Sequence, residues 1–313
     1  MELFNILIGQ VEFFAVSLAV GFIAQRAGFL KNDTIDSLSR IMMKVIIPFL
    51  ILTVVASSGS RSEIISSWPF IVCCFIMYGI NALVGTLSGK IIRLKRPELN
   101  AHIGSVTFQN SAIFGFPIIM AMFPQKAGIY IADFAIVETI LCWTGGVLVL
   151  SSGTGNGKIE LKKMATPVTA ALVVGVLMVF AGIRPENVVW NALTGIGATQ
   201  KYLGLIYIGS DIGRKGFKRL FAKPKVFSTI PVKLIISPLI LFFVLTFLGF
   251  ADKESIMAIT VFAMLPSMLV MTILAEEYKC APDYAAGAIL ATTTACLFTM
   301  PFVFYIAESF GGR

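Results

Sequence analysis

Charge is scarce in this chain. Lys, Arg, Asp and Glu make up 13% of its 313 residues, 57% are hydrophobic, and the mean hydropathy is +0.88. No soluble domain needs that much apolar surface, so composition predicts an all-α polytopic membrane protein. Histidine occurs once, as His102, with no cysteine or carboxylate cluster beside it. It is expected at a solvated membrane interface. The five cysteines fall mostly inside apolar runs without metal-ligand spacing, which favours apolar packing and no bound metal. A Gly-rich phosphate loop and a nucleophile constellation are both absent, so neither an enzyme nor an organic cofactor is expected. No long hydrophilic linker marks a soluble domain. The first apolar run lacks a basic n-region and a small-residue cleavage site, and reads as a retained span rather than a signal peptide.

What is present is a series of ten apolar runs. They lie near residues 4–25, 38–57, 68–91, 101–123, 129–151, 165–182, 188–210, 226–249, 254–275 and 284–307. The loops after the odd-numbered runs hold 17 of the 25 Lys and Arg residues, and the opposite side holds 5. Basic excess marks cytoplasmic loops, which predicts a multi-pass protein of the plasma (inner) membrane with both termini extracytoplasmic. The net charge of +8 is then a topology signal, and nucleic-acid binding is not expected. Membrane lipid is the expected surrounding.

Two runs are interrupted near their middles. The fourth contains Asn110-Ser-Ala-Ile-Phe-Gly-Phe-Pro117, and the ninth contains Met264-Leu-Pro-Ser267. Proline lacks an N–H and clashes with the carbonyl four residues back, and Gly115 lacks a Cβ to hold helical geometry. Each run is predicted to form two half-helices broken at Gly115–Pro117 and at Pro266. Irregular backbone at membrane depth is tolerated only against protein or a water-filled cavity, and in secondary transporters it marks the substrate site. A simple kink is the alternative.

Pro117 and Pro266 lie 149 residues apart, which divides the chain into halves 1–157 and 158–313. Five spans per half force the second to enter the membrane with opposite polarity. That predicts ten transmembrane helices as two inverted five-helix repeats, with a route to outward- and inward-open states.

At these residues the chain resembles the auxin efflux carrier family. The resemblance rests on Gly28-Phe-Leu with Pro48, on Asn110-x-x-x-Phe-Gly-Phe-Pro117, and on Leu265-Pro-Ser267 followed by Leu274-Ala-Glu-Glu-Tyr278. Ala285-Ala286, Thr292-Thr-Thr294 and Pro301 extend it, so it covers nearly the whole chain. The family includes plant auxin carriers and bacterial permeases for malate and similar acids, with a fold like that of bile-acid symporters and sodium/proton antiporters. The resemblance implies broken helices 4 and 9 that cross at the substrate site. It further implies a scaffold of helices 1, 2, 6 and 7 and a transport domain of helices 3–5 and 8–10. The long central loop of many plant carriers is missing, as in the short microbial branch. The chain departs from the usual pattern at Met268-Leu269 and at Cys280-Ala-Pro282.

Half-helix N-termini offer free N–H groups and the positive end of a dipole, which suits a carboxylate. The expected donors are the amides of Ile118, Ile119, Ser267 and Met268, with the side chains of Asn110, Ser111 and Ser267 beside Gly115, Pro117 and Pro266. The alternative is that Asn110 and Ser267 only satisfy carbonyls freed by the breaks. Lys201, near the midplane of the seventh run, is expected either to face the anion or to pair with Glu138. Lys44 and Lys233 are expected to snorkel to the cytoplasmic interface. Asp133 and Glu138 are candidates for proton or ion coupling; they point about 140° apart on a helix and are not expected to share a proton. Glu138 is deeper and the stronger candidate, while Glu12 is read as lining an outer vestibule.

These residues predict a secondary transporter for a small organic anion, malate-like or auxin-like, working by alternating access with H+ or Na+ as a coupling ion. The alternatives are a cation-coupled symporter or antiporter of the same fold for another substrate, and a ligand sensor that transports nothing. The scaffold helices offer a face on which two copies could pair as a homodimer.

Overall fold

Long apolar stretches without internal water must satisfy their own backbone, and helices do so segment by segment. The computed structural model of the chain, which describes residues 2–152, 165–216 and 223–311, is accordingly helical throughout, with no strand among the described residues. The boundary at 157/158 and the basic residues Lys158, Lys162, Lys163, Lys218, Arg219 and Arg313 lie outside that description.

Among the described residues, six helices are long and apolar enough to cross a membrane: α1 (Glu2–Arg26), α2 (Asn32–Ala56), α3 (Trp68–Ile91), α5 (Ala127–Ser151), α8 (Pro224–Leu248) and α10 (Pro282–Gly311). The other apolar runs form shorter pieces. These are α4a (Glu98–Thr107) with α4b (Ser111–Met122), α6 (Pro167–Phe180), α7a (Val188–Ala198) with α7b (Gln200–Lys215), and α9a (Lys253–Ala263) with α9b (Leu269–Glu277). The chain is an integral multi-pass membrane protein.

Several prolines sit inside helices without breaking them, and three of them share one device. Pro48, Pro117 and Pro238 each follow a π turn, at Met42–Ile46, Ser111–Gly115 and Val232–Ile236. Just before each proline an amide reaches back five residues rather than four: Ile47 to Met42, Phe116 to Ser111 and Ser237 to Val232. The wider turn absorbs the carbonyl that the proline cannot bond. Pro117 therefore causes a local widening, and the expected break at Gly115–Pro117 is corrected. The chain leaves helical geometry at Phe108–Asn110 instead, where Phe108 is extended and Asn110 has φ −82° and ψ 67°.

Helices α1, α2, α6, α7a and α7b pack chiefly on one another, as do α3, α4a, α5, α8, α9a and α10. Close approach in the first group needs glycine. A Cβ at Gly21 would lie 2.1 Å from the Ile206 carbonyl oxygen, and one at Gly209 would lie 2.1 Å from that of Leu18. Small residues of this kind let membrane helices approach backbone to backbone. In the second group Phe134 of α5 stacks on Phe262 of α9a, with centroids 3.8 Å apart. His102 is fully buried, against expectation, with its ring nitrogens 2.9 Å from Ser88 Oγ and 2.9 Å from Tyr284 Oη. All five cysteines are buried free thiols.

Candidate functional site

The two irregular segments meet. Asn110 donates its backbone N–H to the Pro266 carbonyl at 2.8 Å, and Met268 donates to the Phe108 carbonyl at 3.1 Å. Gln109 and Ser267 thereby form an isolated antiparallel bridge, the one β-type pairing outside helices among the described residues. Each broken run supplies part of the other's missing backbone partners, which is what irregular chain at this depth requires.

The end of α4a shows how complete that accounting is. A helix leaves its last four carbonyls without intrahelical partners. Gly104 O accepts the last i→i−4 bond of the helix, from Phe108 N–H at 3.1 Å; beyond it Ser105 O accepts from Ser267 Oγ at 2.8 Å and Phe108 O from Met268 N–H. Val106 O accepts from Lys233 Nζ at 2.8 Å, and Thr107 O from Asn81 Nδ2 at 3.3 Å. The Ser267 N–H is taken by Thr292 Oγ1 at 3.0 Å.

Beside the paired segments lies a cavity of about 500 Å³. Its deep end holds Gln109, Asn110, Ser111 and Glu138, all buried, and its rim carries Lys44 and Glu277, both exposed. Most of the remaining lining is apolar, including Ile47, Phe116 and Trp143. Ala112 and Ile113 in the first turn of α4b line it, as do Leu269 and Val270 in the first turn of α9b. First-turn amides have no helical acceptor, and they carry the positive end of the dipole. Asn110 Nδ2 and Gln109 Oε1 are buried without a protein partner. The cavity thus offers uncommitted donors at one end and apolar walls along its length.

This chain matches the sequence profile of a family described as membrane transport protein over residues 7–166 and 154–304. It belongs to that family, which includes the auxin efflux carriers. It is 26% identical over 301 residues to an uncharacterized transporter of Methanothermobacter thermautotrophicus, covering 91% of this chain and 93% of that one. It is 22% identical over 299 residues to an uncharacterized transporter of Methanocaldococcus jannaschii, covering 91% and 94%. The chain is a membrane transporter.

Within this membrane transport protein, some expected site residues converge and others do not. Ser111 donates to Glu138 Oε2 at 2.5 Å, and Tyr78 donates to Oε1 at 3.2 Å, so the deep carboxyl sits on the first turn of α4b. Met268 lines the cavity, but its amide is spent on Phe108. The Ser267 amide and hydroxyl are both spent on protein, so Ser267 satisfies a freed carbonyl rather than facing the cavity. Pro117, Ile118, Ile119 and Pro266 are absent from the lining; Pro266 contributes the carbonyl that holds Asn110. Gly115 also lies outside the lining. A Cβ there would stand 2.7 Å from Leu265 Cδ1, so the glycine permits α4b to pack on the second break.

The cations exchange roles. Lys201 lies over the Phe13 ring, 4.5 Å from its centroid, and neither lines the cavity nor pairs with Glu138. Lys44, expected to snorkel, lines the rim. Lys233, also expected to snorkel, is 0% exposed. One signal could have found both: each sits four or five residues before a proline, the spacing of the π turns. Asp133 is buried beside Ser67 with Oδ2 unpartnered, away from the cavity lining. Glu12 is exposed.

Proposed function

We propose that the protein is a secondary transporter that carries a small organic anion by alternating access, with the cavity at the paired breaks as its substrate site. The observation that carries this reading is that two helix starts, the buried Asn110 amide and the Ser111–Glu138 pair all border one cavity. A carboxylate at the deep end would accept from Asn110 Nδ2 and from first-turn amides of α4b and α9b, while its apolar body contacts Ile47, Phe116 and Trp143. Malate-like and auxin-like acids both carry the required carboxylate. Glu138 is the coupling group, because its bond to Ser111 ties its protonation to the turn that holds the substrate. Asp133, apart from the cavity, is the lesser coupling candidate.

In this reading the runs are ten spans in two inverted repeats, with helices 4 and 9 crossing at their breaks. Helices 1, 2, 6 and 7 are the scaffold and helices 3–5 and 8–10 the moving domain. The cavity rim at Lys44 and Glu277 lies on the side that the basic loops assign to the cytoplasm, so the conformation is inward-open. Both termini then face outward at the plasma membrane, and the scaffold supplies the face for a homodimer.

Flux into liposomes tests the reading, using labelled malate and indole-3-acetate with and without proton or sodium gradients. Saturable uptake of one acid is expected, and it is lost in Asn110→Ala with thermal stability intact. Sodium movement with no carboxylate uptake would replace the reading with cation antiport. Outside labelling of Gly216→Cys in intact cells would reverse the orientation.

A further inference from the structure

We propose that Lys233 is a built-in cation that occupies the place where a coupling sodium ion would otherwise sit, so that this transporter takes no metal cation at its first helix break. Lys233 belongs to α8, inside the π turn Val232–Ile236 that precedes Pro238. π turns interrupt the regular ladder and recur at functional positions. The side chain is fully buried, and Nζ donates to the Val106 carbonyl at 2.8 Å.

That carbonyl is no ordinary acceptor. It is one of the last four of α4a, whose C-terminal end carries about half a negative charge. Unwound carbonyls and half-helix C-termini at the midplane are where secondary transporters coordinate sodium. Of the four carbonyls here, three receive neutral donors, from Ser267, Asn81 and Met268, and Val106 alone receives a side-chain amine. Glu138 is the acid whose field reaches that amine, without an ion pair between them, its two oxygens accepting from Tyr78 and Ser111. Lys233 thus meets both sources of negative potential in the region, the helix end and the carboxyl. Its neighbour Ser237 bonds the Asn81 side chain, which fixes the same turn of α8 against α3. A buried charge persists only where partners compensate it, and this one has the Val106 carbonyl and the helix end that carries it, with Glu138 acting at longer range.

A tethered cation has a consequence that a packing lysine lacks. Removing it leaves a cation-shaped vacancy that a small ion from solution can fill. The test is thermal unfolding of the purified full-length protein at constant ionic strength, in choline chloride against sodium, potassium, ammonium and methylammonium chlorides. The wild type is expected to melt at one temperature in all of them. Lys233→Ala is expected to melt lower in choline, and its melting temperature should climb with the logarithm of the concentration of at least one small cation, as linkage requires. Lys233→Met fills the volume without charge, and is expected to stay low and indifferent to every salt. A folded Lys233→Ala that responds to none of the cations would overturn the proposal. So would Lys233→Met with wild-type stability, or a wild type that sodium stabilises. The last two readings hold even where Lys233→Ala does not fold. None of them depends on anion flux, so the transport reading and this one fail separately.

Discussion

Asn110 gives its backbone N–H to the Pro266 carbonyl at 2.8 Å while its side-chain amide stays buried without a partner. The two halves of one residue therefore divide the labour: the backbone holds the breaks together and the side chain remains uncommitted. Truncation to alanine keeps the first and removes the second. Asn110→Ala is expected to weaken anion binding about tenfold or more, the worth of one hydrogen bond to a charged acceptor, and to leave the melting temperature unchanged. Equilibrium binding to purified protein and thermal melting read the two parts separately.

Lys44 and Lys201 should behave differently. Lys44 stands on the cavity rim, where an exposed charge draws in anions and is screened by salt. Lys44→Gln is expected to lower anion affinity several-fold at low ionic strength, with the difference shrinking as salt rises. Lys201→Met should leave affinity as it is, because that ammonium lies on Phe13 outside the cavity. A larger loss at Lys201 than at Lys44 would contradict the assignment.

Much of this was legible in the sequence, and what was not has physical causes. Each of the ten apolar runs is helical over most of its length, six as helices long enough to cross a membrane and the others as shorter pieces, because apolar chain of that kind must satisfy its own backbone. The meeting of the 110 and 267 regions was implied by a family resemblance, and Glu138 was legible as an acid deep in an apolar run. The exact break was not. Gly115 and Pro117 were expected to stop the helix, yet a π turn accommodates a proline, and the true interruption at Phe108–Asn110 carries neither glycine nor proline. Propensity could not see it, because the partner that stabilises it lies some 150 residues away, a separation read from Asn110 and Pro266. The lysines were missed for a related reason. Depth along a helix says how far a side chain is from an interface, while Lys233 is buried by which face of α8 it occupies.

Glu138 should govern coupling. Its carboxyl accepts from Ser111 at 2.5 Å and from Tyr78 at 3.2 Å. Glu138→Gln removes the exchangeable proton at nearly constant volume, so transport driven by a proton gradient is expected to stop while counterflow of the anion across matched solutions continues. Tyr78→Phe keeps the Ser111 contact and should retain gradient-driven transport at reduced rate. Gradient-driven flux surviving in Glu138→Gln would move the coupling role elsewhere.

The α1–α7b contact should be intolerant of any added side chain. Each glycine faces a carbonyl of the opposing helix, so the neighbour that must move is backbone rather than a flexible side chain. Gly209→Ala is expected to cost about 1–3 kcal/mol, the usual price of overpacking, and Gly209→Leu more. Gly9, with open space around it, is the control: Gly9→Ala should melt as the wild type does.

The proline and serine substitutions separate the two accounts of the break. If Pro117 made the interruption, Pro117→Ala would let α4a and α4b join and would abolish binding. In this structure the alanine N–H would only bond Ile113 and relax the π turn, leaving Phe108–Asn110 held by its partners across the cavity floor. Affinity is then expected within about twofold of the wild type, with stability unchanged or raised. Ser267→Ala strips the donor from the Ser105 carbonyl, and Thr292→Val strips the acceptor from the Ser267 N–H. Each leaves one buried polar group unpaired, at about 1–3 kcal/mol, and each loosens the irregular segment that presents α9b to the cavity. The double variant should lose less than the sum of the singles, because both act on one segment and neighbouring sites couple. Thermal melting of the four variants, with anion binding on those that fold, gives the comparison. Loss of binding in Pro117→Ala together with tolerance of Ser267→Ala would return the break to the proline and remove the paired segment from the site.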